Sequence, residues 1–385
     1  MESLLDTSEA STNPLMLAHA AQQDRLVVAP STESELIGVP DLSDVGYQCI
    51  RYMVNCVNGY VYLGRKRKGL RDFVAIKRFI ADDANEYELI STEASNMRML
   101  SHKNILELDN CFVYDNSIYL VTPAMHLGSM HDILGNYKTY GVNERAAAGI
   151  MHQLLNAVEY IHRKRYIHRD IRPQHILVDC DGNVKLSGFR FMIELDMRSD
   201  RVFDFDTHLR NQLYYFAPEV LAQNMHGYGT KSDIFMIGIV LCELLNGIVP
   251  FDESYPLEML YRKLNRQVPR PVDANSLKDD AKRGLDIYSF IFCLIAANRP
   301  EEHLTRVFSR ELHSFVSMCL AFEPETRLSA SELGDLQWTR NGVHTELLKE
   351  LDLNPIDFDF DLWDQEPVLP KADEQKFENV FDFTT

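Results

Sequence analysis

Two hydrophobic periods divide this chain. Residues 47–63 and 73–79 are dense in Val, Ile, Tyr and Phe and are separated by the basic, turn-prone Lys66-Arg67-Lys68-Gly69, a pattern that predicts strands. Residues 86–100 space their apolar side chains at helical intervals, and 111–114 with 117–122 predict a hairpin turning at Asp115-Asn116. After Gly128 the period lengthens, and helices are predicted over 143–163, 231–246, 256–264, 312–319 and 329–336. The pattern is α+β, with a small β-rich unit followed by a larger helical one.

Composition then sets the boundaries. Residues 1–45 are rich in Ser, Thr, Ala and acidic side chains without sustained periodicity and are expected to form a disordered leader; order is expected to begin near Tyr47. Residues 46–126 form the expected small lobe and 127–340 the large one. Residues 341–385 are expected to form an acidic, aromatic tail, marked by Asp357-Phe358-Asp359-Phe360-Asp361-Leu362-Trp363 and interrupted by Pro367 and Pro370. The net charge of −18 argues against a nucleic-acid partner, because affinity for phosphate backbones comes from Lys and Arg releasing counterions. Seven scattered cysteines, with no CxxC pair, indicate neither a disulfide framework nor a zinc site and point to a reducing compartment, the cytoplasm with the nucleus as an alternative. The N-terminus has no basic region ahead of an apolar one, and the longest apolar run, 287–297, falls far short of the roughly 20 residues that span a bilayer, so no membrane role is expected.

The motifs come next, in an order that carries information. Val74-Ala75-Ile76-Lys77 matches the protein-kinase strand whose lysine holds nucleotide phosphates and pairs with a helix glutamate, here Glu93. His168-Arg169-Asp170-Ile171-Arg172-Pro173-Gln174-His175-Ile176-Leu177 matches the kinase catalytic loop, with Asp170 where the base would sit. Ala217-Pro218-Glu219 and Ser232-Asp233-Ile234-Phe235 follow in the same order, and Arg327 is placed to pair with Glu219. Together they predict a protein-kinase-like bilobal fold over about 47–340. By that resemblance the nucleotide contacts would come from Val54, Gly59, Val61, Ala75, Lys77 and Glu93, with Thr122, Met125 and Arg190 completing the cleft.

The departures decide the chemistry. The metal-binding asparagine of the catalytic loop is His175, whose imidazole is a poor ligand for oxygen-seeking magnesium. The metal-binding aspartate of the next motif is Gly188, in Gly188-Phe189-Arg190. Metal neutralisation contributes several kcal/mol to phosphoryl transfer and each ~1.4 kcal/mol is tenfold in rate, so loss of both ligands costs on the order of a thousandfold or more. The glycine-rich loop is eroded too: aligned on Val61, its three glycine positions are Val54, Cys56 and Gly59, and Arg172 stands where kinases place a phosphate-contacting lysine. No metal and no catalytic residue is therefore expected, Asp170 and Arg172 being remnants. ATP is expected to bind without magnesium, with Arg190 supplying part of the missing charge. The alternative is a weakly active, atypical Ser/Thr kinase using Asp170 as base.

His175, Gly188-Phe189-Arg190 and Gly227-Tyr228-Gly229-Thr230-Lys231-Ser232-Asp233 resemble the STRAD pseudokinase adaptor family, related to the Ste-twenty kinases. Gln223-Asn224-Met225-His226-Gly227-Tyr228 and Asn246-Gly247-Ile248-Val249-Pro250-Phe251 add to the likeness. The resemblance implies an adaptor that grips a liver kinase B type Ser/Thr kinase in a pseudosubstrate manner and holds it active. A helical-repeat scaffold of the mouse-protein-twenty-five family completes the assembly, in energy sensing, polarity and growth control. Family members end in a Trp-Glu-Phe motif that docks the scaffold, and Phe381-Asp382-Phe383 keeps that aromatic, acid, aromatic order here. The best-known members have also lost the strand lysine and the catalytic-loop aspartate, which this chain retains as Lys77 and Asp170.

Overall fold

The computed structural model describes residues 39–56, 59–67, 73–80, 84–205, 213–252, 254–277 and 305–353. The run 287–297, Phe381-Asp382-Phe383 and most of the expected leader and tail lie outside the described residues. Five antiparallel strands make the small lobe: β1 (Tyr47–Cys56), β2 (Gly59–Lys66), β3 (Phe73–Phe79), β4 (Asn110–Tyr114) and β5 (Ser117–Pro123), ordered β1-β2-β3-β5-β4. The expected single strand over 47–63 is thus two, because the chain reverses between Cys56 and Gly59, which are paired in register. Asp115 and Asn116 both take positive φ, 43° and 57°, the geometry of a two-residue hairpin turn that these residue types tolerate. Helix α1 (Ala84–Met99) lies between β3 and β4 in sequence and turns Ile90, Glu93, Ala94 and Met97 inward.

Order reaches upstream of Tyr47. A short 3₁₀ turn at Ser43–Val45 follows Leu42, which is buried, and Arg67 donates to the Ser43 carbonyl.

The large lobe is helical, with short strands framing the cleft: β6 (Gly128–Ser129), α2 (Met130–Asn136), α3 (Glu144–Arg163), β7 (Tyr166–Ile167), β8 (Ile176–Val178), β9 (Val184–Leu186), β10 (Ile193–Glu194), α4 (Pro218–Leu221), α5 (Lys231–Asn246), α6 (Pro256–Leu264), α7 (Arg310–Cys319), α8 (Ala330–Asp335), α9 (Gln337–Arg340) and α10 (Leu347–Glu350). Asn143 and Ser329, taken as helical from the sequence, are instead N-caps of α3 and α8, their side chains accepting the backbone N–H three residues on. Helix α5 is buried on every side from Ser232 to Asn246, which its nearly continuous apolar sequence requires, and it ends at Gly247 with φ of 72°. Packing continues past the expected boundary at 340, since Leu347 and Leu351 are buried in the same core as α3. Among the described residues no helix is long and apolar enough to cross a membrane, and the six described cysteines are free.

Arg327 closes the base of this lobe. Its guanidinium, itself buried, donates to both oxygens of the buried Glu219 at 2.6 and 2.8 Å and to the carbonyls of Ala321, Phe322 and Lys231. A buried charge loses its whole compensation when its partner is removed. Arg327→Ala is therefore expected to cost about 3–5 kcal/mol in urea unfolding, and Arg327→Lys more than half of that, because an ammonium cannot reproduce the planar fork.

Candidate functional site

Strand register assembles the cleft roof. Val61 pairs with Lys77 across β2–β3 and Ala75 with Thr122 across β3–β5, while Val54 faces Val61 on β1. Gly59 is held by a backbone constraint: a Cβ there would run into the Arg78 carbonyl of β3. Met125 is buried just after β5, where the small lobe passes to the large one.

Glu93 is the hub beneath this roof. Lys77 Nζ lies 3.4 Å from one carboxylate oxygen and Arg190 Nε 3.5 Å from the other. Burial alone would raise the Glu93 pKa, but the two cations outweigh it and hold the carboxyl below its ordinary value. Arg190, expected as a free cation for phosphate, is thus already paired; its side chain is only 12% exposed and its guanidinium stacks over Phe79 at 5.4 Å. Asn96, one helical turn on, donates to the Phe189 carbonyl at 2.8 Å, so α1 is tied to the segment after β9 by both charge and a hydrogen bond.

The catalytic-loop geometry is built on Asp233 of α5, which accepts the backbone N–H groups of His168 and Arg169 at 2.9 Å each. Asp170 follows. It is 3% exposed, with Arg172 Nε 3.0 Å from one carboxylate oxygen and His175 Nδ1 3.3 Å from the other. Burial pushes its pKa up to about 8, against the pull of Arg172.

The two metal positions do not fit a divalent ion. His175 Nδ1 lies 2.8 Å from the Asp170 carbonyl, which can only accept, so Nδ1 carries the proton and Nε2 accepts from Arg172 at 3.4 Å. Burial, then Arg172, holds the imidazole pKa well below its ordinary value, so the ring is neutral. Gly188 has φ of 84°, and a Cβ built on it would meet the His175 ring at Nδ1, at Cγ (2.5 Å) and at Cε1 (2.6 Å). The space of a residue-188 side chain is occupied by imidazole. Among the described residues no group of three or more His, Cys, Asp or Glu side chains is arranged to hold a metal ion.

A second surface lies below the cleft. Arg169 donates to Asp204 at 2.8 Å, to the Tyr228 hydroxyl at 2.9 Å and to the Phe191 carbonyl at 2.7 Å, while Arg165 reaches Asp200 at 2.7 Å and the Asp196 carbonyl at 3.0 Å. These carboxylates hold the segment 191–204 in place. Its outer side carries a depression of about 510 Å³ flanked by Met197 and Phe203, which are 75% and 58% exposed. Further on, Lys263 of α6 is buried and donates to the carbonyls of Tyr214 and Phe216 at 2.5 and 3.0 Å. Burial lowers its pKa to about 7. Sequence reasoning did not find the roles of Asp204, Lys263 or the His175–Gly188 contact. Only the last left a trace, in the simultaneous loss of two ligand types.

Glu93→Gln is expected to cost roughly 1–3 kcal/mol at pH 7, because two half-buried cations lose their shared, buried counter-charge. A carboxyl whose folded pKa lies below its ordinary 4.5 contributes stability above that value and loses it as pH falls through the folded one. Thermal unfolding followed from pH 7 to pH 3 should therefore show the native protein and Glu93→Gln converging in acid, and parallel profiles would contradict this account.

The comparisons agree with this geometry. The Protein kinase domain family matches residues 55–339. STE20-related kinase adapter protein strd-1 of Caenorhabditis elegans is 52% identical over 389 residues, 99% of this chain and 98% of that protein. STE20-related kinase adapter protein alpha of Mus musculus is 38% identical over 251 residues, 61% of this chain and 58% of that protein. STE20-related kinase adapter protein beta of Homo sapiens is 30% identical over 278 residues, 68% and 66% of the two lengths. With one such match running over nearly its whole length, the chain belongs to the STE20-related kinase adapter (STRAD) family and carries a protein kinase domain.

Proposed function

We propose that this chain is a catalytically inactive pseudokinase adaptor that binds a Ser/Thr kinase of the liver kinase B type and holds it active. A helical-repeat scaffold of the mouse-protein-twenty-five family is the third member of the assembly, and energy sensing, polarity and growth control in the cytoplasm or nucleus are its setting. The observation that carries the reading is the occupation of the metal positions by His175 and Gly188 beside an Asp170 locked against Arg172. The relatives' names, kinase adapter in each case, support the same class of partner.

ATP enters the cleft without magnesium in this proposal. Lys77, Arg172 and Arg190 set three cations against the two carboxylates of Glu93 and Asp170, so the cleft keeps a positive excess for phosphates where kinases rely on a bound ion. Nucleotide bridging the lobes would favour the closed arrangement that the Lys77–Glu93 pair already supports. The partner kinase is proposed to bind the face formed by the segment 191–204. The segment is held there by internal carboxylates and leaves Met197 and Phe203 exposed. Phe381-Asp382-Phe383 is proposed to anchor the scaffold.

ATP with excess chelator is expected to raise the melting temperature, by the equivalent of about 2.7 kcal/mol at a hundred times its dissociation constant, and Lys77→Met with Arg190→Glu to remove the shift. No shift in the native protein sinks the nucleotide proposal. Phosphate transfer that Asp170→Ala abolishes would restore the kinase reading.

With purified partners, Met197→Asp with Phe203→Asp is expected to weaken kinase binding at least tenfold while scaffold binding persists, and truncation after Val380 to do the reverse. Binding and stimulation of the kinase unchanged in the first variant would place the interface elsewhere.

A further inference from the structure

His175 and Gly188 stand at the two positions where kinases place metal ligands. The contacts say more, because the two replacements touch. We propose that His175 and Gly188 are a single interlocked unit, in which the imidazole takes the volume of the residue-188 side chain and joins the catalytic loop to the segment after β9 in place of an ion.

Both ring nitrogens of the imidazole are engaged. Nδ1–H donates to the Asp170 carbonyl at 2.8 Å and Nε2 accepts from Arg172 at 3.4 Å, while the His175 carbonyl accepts the Ser187 N–H at 2.8 Å and its hydroxyl at 3.2 Å. Ser187 is the residue just before Gly188, so the ring and its own backbone clamp the 187–188 peptide from two directions. On the far side Phe189 is fully buried and stands edge-on to His168 at 5.2 Å, which prevents the 188–189 backbone from retreating. Carbon atoms do not approach to 2.5 Å without bonding, so a side chain at 188 and this ring cannot coexist where they stand. The inference follows that restoring the acid at 188 alone cannot rebuild a metal position. It would first displace the ring, breaking the Asp170 carbonyl contact and releasing Arg172. Replacing His175 alone would instead leave a gap opposite Gly188 and two segments without their link. Neither position is free to change before the other.

This inference rests on the metal-free reading above only for its functional sense; its test needs neither nucleotide nor partner. A double-mutant cycle of Gly188→Ala and His175→Ala is followed by thermal unfolding of the full chain without ATP. The positive φ at residue 188 penalises any side chain equally in both backgrounds, so the cycle removes that contribution and isolates the contact with the ring. Gly188→Ala is expected to lower the melting temperature by several degrees when His175 is present, and by clearly less when residue 175 is Ala. Gly188→Asp is expected to behave in the same way against His175→Asn. A Gly188→Ala protein that fails to fold while the double variant folds is the same result in stronger form. Equal losses in the two backgrounds, or a double variant that fails to fold as the single one does, overturn the interlock. Because no nucleotide is present, a failed cycle and a failed ATP titration would be seen separately.

Discussion

One buried carboxylate holds three parts of this molecule in register. Glu93 on α1 takes Lys77 from β3 on one oxygen and Arg190 from the segment after β9 on the other. Strand, helix and segment belong to different parts of the chain and are joined here across a buried cleft wall, where an unpaired charge would be costly. In an active kinase the lysine–glutamate pair prepares a site that a metal ion then completes. Here Arg190 shares the same glutamate and is stacked on Phe79. The small lobe is therefore set against the segment by ion pairs and by the Asn96 hydrogen bond.

Ion pairs also order the face further down. Arg169, which follows His168 in the catalytic loop, meets Asp204, and Arg165 meets Asp200. Both acids come from the segment they hold, so the chain carries its own counter-charges for ordering that face. Asp233 does the corresponding work inside the lobe, fixing the loop backbone from a helix that is buried on every side. An architecture of this kind keeps the shape of a kinase poised for action while its reacting groups are engaged with one another: Asp170 with Arg172, and His175 with the Asp170 carbonyl.

Much of the fold was legible from local pattern. The hairpin at Asp115-Asn116, β3 and helices α5 and α6 follow from residue type and period, because each is decided by neighbours within a few positions. The reversal at the β1–β2 turn was not legible, since a hairpin whose two arms are both rich in β-formers reads as one strand. Helices α9 and α10 were missed for a different reason. They are four residues long and have too few turns to display a period, and tertiary packing of Trp338 in α9 and of Leu347 and Leu351 at α10, rather than propensity, makes them helical.

The sequence by itself determined the kinase fold, the identity of the two lost ligands and the survival of Lys77 and Asp170, because these reside in motifs whose order and spacing are linear properties of the chain. Tertiary structure alone decided what those residues do to one another. That Arg190 is paired and not free, that Asp170 is enclosed by Arg172, and that the ring of His175 stands where a side chain of residue 188 would project are facts about volume and charge between segments up to a hundred residues apart in sequence. Packing density and the cost of an unpaired buried charge act through space, and a linear pattern carries neither.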